Sequence, residues 1–308
     1  MNQQNIISDL IKWIEKSLEQ PLSIDNVAKK SGYSKWHLQR MFKEVTGQIL
    51  GTYIRHRRLT HAALALHLTS KPILDIAMQY RFDSQQTFTR SFKKQFKLTP
   101  ASYRRAEFWD PSGLTPPIDL NKTPLMLPEP QFVTLPDKTF WGVAYKNTCS
   151  LNDLLREKLL LRREFFKNYL DKYEKVNFEL PAKLYAFSCP QQNKDSLDEQ
   201  EIIYTIALDE KKDLENITEY HHSEGLYVCF RFNGRPEDFS NFISQIYLAA
   251  LPALRIKRRN GSDIEVHYNR YQYQIKDLQK EPPKVIECDY YIPVITQHEL
   301  EELQPKKS

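Results

Sequence analysis

The 308-residue chain has four cysteines, Cys149, Cys189, Cys229 and Cys288, and no two of them form a CxxC pair. None has a histidine beside it at metal-ligand spacing, so zinc-finger and dithiol redox chemistry are excluded, no metal is expected, and reduced, buried thiols are predicted. The eight glycines make no phosphate loop. There is also no GxSxG and no Cys/His pair at useful spacing, so neither an enzyme nor a cofactor is expected. Long hydrophobic runs are missing as well. The first stretch, NIISDLIKWIEKSLEQ, alternates apolar and charged residues at helical period, unlike a signal peptide or a membrane span. The expectation is a cytoplasmic, nucleoid-associated protein with no membrane partner.

Acidic residues are scarce in the first third. Residues 1–108 hold 18 Lys and Arg against 8 Asp and Glu, a net of +10, whereas residues 109–308 hold 26 against 31, a net of −5. A length of 308 residues accommodates two domains, each with its own core. The basic one carries the electrostatic footprint of a protein that approaches phosphates.

What the chain does have is an internal repeat. IDNVAKKSGYSKWHLQRMFK, residues 24–43, and ILDIAMQYRFDSQQTFTRSFK, residues 73–93, are diverged copies with one insertion in the second. Val27 and Ala28 match Ile76 and Ala77, Tyr33 matches Phe82, and Leu38, Arg40, Phe42 and Lys43 match Phe88, Arg90, Phe92 and Lys93. Repeats at such a period rank above single motifs as guides to architecture. Each copy reads as helix, tight turn, helix. Ser23 and Ser34 are placed to cap, Gly32 to take a positive φ in the first turn, and Thr46-Gly47 to end a helix from about Lys35 to Val45. Asp83 and Ser84 are the candidate caps for a helix from Gln85 to Gln95. An amphipathic helix is predicted over 6–19, and a proline-free helix about 27 Å long over 51–68 as a rigid spacer between the copies.

Six prolines between 109 and 130, with no sustained periodicity, predict a linker. The domain boundaries expected are a tandem helix-turn-helix domain at 1–108, a linker at 109–124, a second domain at 125–295 and a polar tail at 296–308. In the second domain, strands are predicted at 132–133, 139–148, 183–188, 202–208, 226–232, 264–268 and 285–294, with helices over 151–173 and 236–251. That order suggests an α+β domain of two related halves with a cleft between them. His221-His222 reads as loop, and the basic run 255–259 as a solvated loop before Asn260-Gly261.

On the first recognition helix, Trp36, Gln39, Arg40 and Lys43 fall at i, i+3, i+4 and i+7, opposite Leu38 and Phe42. Gln85, Gln86, Thr89, Arg90 and Lys93 make the matching face on the second. Arg can bond guanine bidentately, Gln can do the same with adenine, an aromatic ring can pack on a thymine methyl, and Lys can meet a phosphate. Over about residues 6–105 the chain resembles the AraC/XylS family of bacterial transcription regulators, on the runs Ile24 to Gly47 and Ile73 to Tyr103. SKWHLQRMFK and DSQQTFTR resemble the branch of that family that activates multidrug, superoxide and antibiotic resistance. One departure is Arg81, where the family usually has glycine; a side chain there argues against a tight left-handed turn.

The resemblance implies a monomeric activator in the stress-response and antibiotic-resistance class, which binds double-stranded promoter DNA and recruits RNA polymerase. It also implies that residues 125–295 are similar to GyrI-like effector-binding domains, which hold small amphipathic molecules in an aromatic cleft with a carboxylate. On the last strand, VIECDYYIPV, Glu287, Asp289 and Tyr291 share a face by alternation. Asp289 stands where such domains place their acid, and Glu201, Tyr204, Trp141, Phe187, Phe230 and Phe232 are candidate cleft walls. A cleft acid favours a cation, while the branch resemblance points to bile acids and fatty acids, which are anions; both remain open. The alternative function is a DNA-architectural or origin-associated protein with a C-terminal interaction module.

Overall fold

The computed structural model describes residues 3–120, 129–149, 181–193, 195–211, 216–269 and 284–295. The chain divides into two compact units, the first made of residues 1–106, 110–126 and 247–255 and the second carrying every described strand. The first is all-helical: α1 (Gln3–Lys16), α2 (Ile24–Ser31), α3 (Lys35–Thr46), α4 (Leu50–Leu68), α5 (Ile73–Gln79), α6 (Gln85–Phe96) and α7 (Pro100–Arg104).

The apolar stripe of α1 seals Ile7, Leu10, Ile11 and Ile14 against Val27, Leu38, Phe42 and Tyr53. Each such side chain contributes roughly 1.5–3 kcal/mol of transfer free energy. α1 stops at Lys16, short of the predicted end, and tight turns then carry Leu18 and Leu22 into the same core. Arg58 closes this end of the helix by donating to the carbonyls of Leu18 (2.8 Å) and Gln20 (2.7 Å).

α4 is the central spine. Its 19 residues span about 28 Å. Tyr53, Ile54, Leu59, Thr60, Ala62, Ala63, Ala65 and Leu66 are buried around its circumference rather than on one stripe, because helices pack on several sides of it. A charged cluster ties it to α1. The Tyr53 hydroxyl donates to Glu15 Oε1 at 2.6 Å, and Arg57 donates Nε to the same carboxylate at 2.9 Å and Nη2 at 2.8 Å. The Arg57 side chain is only 4% exposed, so its guanidinium is taken out of water and is held by hydrogen bonds, while Glu15 keeps an edge at 19% exposure.

The proline-rich segment expected to link the domains begins by packing along the helical unit. Leu114 is buried, Gln95 donates to the Gly113 carbonyl at 2.8 Å, Thr115 N donates to Thr60 Oγ1 at 3.0 Å, and Arg57 donates to the Thr115 carbonyl.

In the second unit the strands are β1 (Gln131–Leu135), β2 (Lys138–Cys149), β3 (Lys183–Gln192), β4 (Gln200–Leu208), β5 (Thr218–His222), β6 (Gly225–Gly234), β7 (Asp263–Tyr268) and β8 (Ile286–Pro293). They form one antiparallel sheet in the order β1-β6-β8-β7-β3-β4-β2-β5. Read from either edge the order is equivalent: β1 matches β5, β6 matches β2, β8 matches β4 and β7 matches β3. The two related halves predicted from the sequence are thus present, joined at the β3–β7 seam. The helix predicted over 151–173 lies outside the described residues.

The other predicted helix is segmented. A 3₁₀ turn (Pro236–Asp238) leads into α8 (Phe239–Gln245), then a π-helical turn (Ile246–Ala250), then α9 (Leu251–Leu254). Pro252, which has no N–H to give, is the second residue after the π turn. β5 corrects the reading of His221-His222 as loop, since both residues pair with β2. Arg258 corrects the solvated reading of the basic run. It is buried and donates Nη2 to Asp263 at 3.0 Å and to the Gly261 carbonyl at 2.6 Å. No helix among the described residues is long and apolar enough to cross a membrane.

Candidate DNA interface and effector cleft

The first reading head is built by local chemistry. Ser23 accepts from Asn26 N to start α2, Gly32 ends it at φ 75°, and Ser34 accepts from His37 N to start α3. Gly47 closes α3 at φ 71°. Leu38, Met41 and Phe42 go into the core, which leaves Trp36, Gln39, Arg40 and Lys43 on the open face. Trp36 is 69% exposed, and an indole left that far in water marks a contact surface. The Arg40 guanidinium lies over the Trp36 ring at 5.5 Å from its centroid and donates Nε to Glu44 at 2.7 Å. Glu44 raises the already high Arg40 pKa, so the charge on that face is permanent.

The second head repeats this with different punctuation. Ser84, not Asp83, is the cap, accepting from Thr87 N. Arg81 takes φ 62°, the same left-handed conformation as Gly32 in the first copy, despite its side chain. A non-glycine residue there costs on the order of 1 kcal/mol. The turn is fixed from both sides: Phe82 N donates to the Ala77 carbonyl at 2.9 Å, and Arg81 Nε donates to the Glu19 carbonyl at 2.6 Å. The sequence expectation of no left-handed turn is therefore overturned. Phe88, Phe92 and Phe96 are buried on α6, with rings in contact from Phe82 through to Tyr103. Gln85, Gln86, Arg90 and Lys93 remain exposed, and Thr89 half-exposed, on the opposite face.

In the sheet unit, register decides which candidates can meet. Residues directly opposite in antiparallel strands share a face, and successive residues alternate. β8 pairs Asp289 with Arg231 and Tyr291 with Cys229; β7 sets Val266 against Asp289. Carrying this across the sheet, Asp289, Glu287, Tyr291, Phe187 and Glu201 lie on one face. Tyr204, Trp141, Phe230 and Phe232 lie on the other. The candidate cleft walls thus divide into two sets.

On the first face an aromatic cluster of Phe140, Tyr185, Phe187 and Tyr227 packs with Ile264 and Val266, with Tyr220, Tyr268 and Tyr291 against it. Asp289 is engaged there. Arg231 donates to it through Nε (2.7 Å) and Nη2 (3.1 Å), and the Tyr268 hydroxyl adds a third bond at 2.8 Å. Burial alone would raise its carboxyl, but the bonds from Arg231 and Tyr268 hold it below the ordinary range. Its side chain is 4% exposed while that of Arg231 is 56% exposed. Glu201 is paired with Lys146 at 2.8 Å.

The second face packs against α8, where Phe239 and Phe242 meet the Phe232 ring at 5.1 and 5.0 Å. It holds an acid the sequence reading passed over. Glu265 is completely buried and takes the Tyr204 hydroxyl at 3.1 Å and His267 Nε2 at 3.0 Å. Cys288 Sγ lies 3.9 Å from the same His267 nitrogen, so the fold does bring together a Cys/His pair that spacing along the chain concealed. The available signal was DIEVHY itself. Period-two alternation puts Asp263, Glu265 and His267 on one face and Ile264 and Val266 on the other, so a strand buried on both faces must bury its acids. Among the described residues no group of three or more His, Cys, Asp or Glu is arranged to hold a metal ion.

Two helix pairs, each with a serine-capped second helix and an exposed polar reading face, on one spine define a tandem helix-turn-helix DNA-binding protein, whose second domain is built on one antiparallel sheet. Residues 27–106 match the family described as Helix-turn-helix domain, and residues 128–295 match the GyrI-like small molecule binding domain. The chain is 43% identical over 297 residues to Transcriptional regulator Rob of Salmonella typhimurium (strain LT2), covering 96% of this chain and 99% of that protein. The same figures hold for Right origin-binding protein of Escherichia coli (strain K12). Regulatory protein SoxS of E. coli (strain K12) is 61% identical over 104 residues, 34% of this chain and 97% of SoxS. The chain belongs to the Rob-like family of AraC-type transcription regulators that carry a GyrI-like domain. It is a DNA-binding transcription regulator whose second domain is of the small-molecule-binding class.

Proposed function

We propose that the protein is a monomeric, cytoplasmic activator of stress and resistance promoters. α3 and α6 read two successive major grooves, and a small amphipathic effector in the sheet domain sets the output to RNA polymerase. The observation that carries this reading is the pairing of two exposed basic helix faces across one rigid spine. The roughly 28 Å of α4 stands close to the ~34 Å over which one face of DNA repeats, so one chain does the work of a dimeric repressor. Arg40 and Arg90 are the base readers, Gln39, Gln85, Gln86 and Thr89 assist them, and Lys43 and Lys93 meet phosphates.

For the effector, Glu265 rather than Asp289 is the recognition acid. It sits at zero exposure on the sheet face of Tyr204, Trp141 and Phe230, bonded by Tyr204 and His267, whereas Asp289 is held in a two-pronged ion pair with Arg231. A carboxylate sealed among aromatic rings favours a cationic apolar molecule over a bile or fatty acid anion.

The test is titration of the full-length protein into a labelled promoter fragment with a degenerate activator site, against random duplex, at two salt concentrations. Arg40→Ala is expected to lose about 1–3 kcal/mol on the site and relax its sequence preference, while Lys43→Ala weakens every duplex alike and lowers the salt slope by about one. Binding that ignores sequence in the wild type refutes promoter reading and favours the architectural alternative.

A further inference from the structure

The repeat places the same arginine in two different settings. On α3, Arg40 lies between Trp36, one turn before it, and Glu44, one turn after. On α6, the positions matching Trp36 and Glu44 are Gln86 and Lys94, so Arg90 has an amide on one side and a like charge on the other. Positions i, i+4 and i+8 form one row on a helix, so Glu44 continues the reading face of α3 toward its C-terminus. A carboxylate on the face that approaches phosphates is costly for DNA binding in general. As an exposed ion pair it also contributes little to folding. Neither affinity nor stability accounts for its place in the row.

The geometry of the contact does. Glu44 takes the Nε–H of Arg40, and the guanidinium carbon sits over the Trp36 ring, 5.5 Å from its centroid. What remains is the Nη1/Nη2 end, whose two donors match O6 and N7 of one guanine. An unrestrained arginine satisfies itself equally well on a nearby phosphate. We propose that Glu44 is a specificity-determining positioning residue. It locks Arg40 in the end-on orientation, so the side chain contributes to binding only where a guanine is correctly placed. The proposal rests on the reading of Arg40 as a base contact, and the test separates the two.

The full-length protein is used to select a duplex from a randomised 20-base-pair library, and Kd is measured on that duplex and on an unselected duplex of equal length. The variants are Glu44→Gln, Arg40→Ala and the double variant. In Glu44→Gln the freed arginine reaches phosphates. The unselected duplex is then bound about threefold to fivefold tighter, the selected one unchanged, and the ratio of the two falls by the same factor. In the Arg40→Ala background the same substitution moves the ratio by less than twofold, because its effect passes through Arg40. If Arg40→Ala alone leaves the ratio unchanged, the base-contact reading of Arg40 fails. If Arg40→Ala lowers the ratio but Glu44→Gln does not, the role of Glu44 fails by itself. Equal tightening on unselected DNA with and without Arg40 also overturns it, since Glu44 would then be a plain repulsive charge.

Discussion

Acidification should loosen the helical unit chiefly through His61 on α4; burial lowers His56 of the same helix in the same direction, and His61 is the one pushed far down. Its Nε2 accepts from Arg57 Nη2 at 3.3 Å, and Arg57 is itself committed to Glu15. Burial, and next the neighbouring Arg57 charge, push the His61 pKa from 6.5 down to about 4; Glu15 offsets only part of this. The folded state thus holds His61 neutral where the unfolded chain protonates it. A histidine depressed in this way contributes stability that is fully present above pH 6.5 and is lost as pH falls toward 4. At pH 5 the loss is about 2 kcal/mol, against almost nothing at pH 7.5. The assay is hydrogen exchange on peptides from α4 in the full chain, corrected for the intrinsic pH dependence of exchange. Wild-type protection should fall by roughly thirtyfold between pH 7.5 and 5. In His61→Gln, whose amide oxygen can still accept from Arg57, most of that fall should vanish. An equal fall in both proteins would refute the assignment to His61.

Phe92→Ala removes a ring packed on Phe88, Phe96 and Tyr103 and should cost the helical unit 3–5 kcal/mol by the usual range for buried aromatics, read as lost protection in α6. Gly142 lies so close to β4 that a Cβ would meet Ala207 Cβ at 2.6 Å. Gly142→Val should therefore destabilise the sheet unit by more than about 2 kcal/mol in urea denaturation, and a neutral result would refute the close approach. Asp289→Asn takes away the carboxylate that Arg231 and Tyr268 share. Because the wild-type carboxyl is held below 3.8, its contribution is present above that pH and lost as pH drops through the lowered value; the Asn variant should show a flatter acid profile of sheet unfolding, and an unchanged profile would count against the pairing.

Local rules made the DNA-binding half legible. Ser23, Gly32, Ser34 and Gly47 each act within five residues of themselves, so the sequence marks the ends of α2 and α3 almost as observed. Arg81 escaped because its left-handed turn is held from outside the turn, by the Glu19 carbonyl some sixty positions earlier. In the sheet unit, strand positions could be read from alternation, but not the face each strand presents, which is a matter of pairing between distant segments. That is why Trp141, Tyr204 and Phe230, read as walls of one cleft with Asp289, turn out to back onto the opposite face. β5 was invisible for a related reason: Thr-Glu-Tyr-His-His is polar on its own and becomes a strand by pairing with β2. Glu265 was hidden by appearing as the polar half of an ordinary alternating strand, when both halves are buried.

The strand order of the second domain also sets a timetable. β1 waits for β6, pairing Gln131 with Cys229, and the central seam joins Lys183 to Tyr268, so the sheet cannot close until its last strands are synthesised. Helix caps and neighbouring-helix contacts in the first 106 residues close over much shorter loops, and short loops form sooner. On the ribosome the part that grips DNA is therefore complete well before the part that senses a ligand. Each new molecule passes through an interval as a bare DNA-binding domain, about the stretch that SoxS comprises in its entirety.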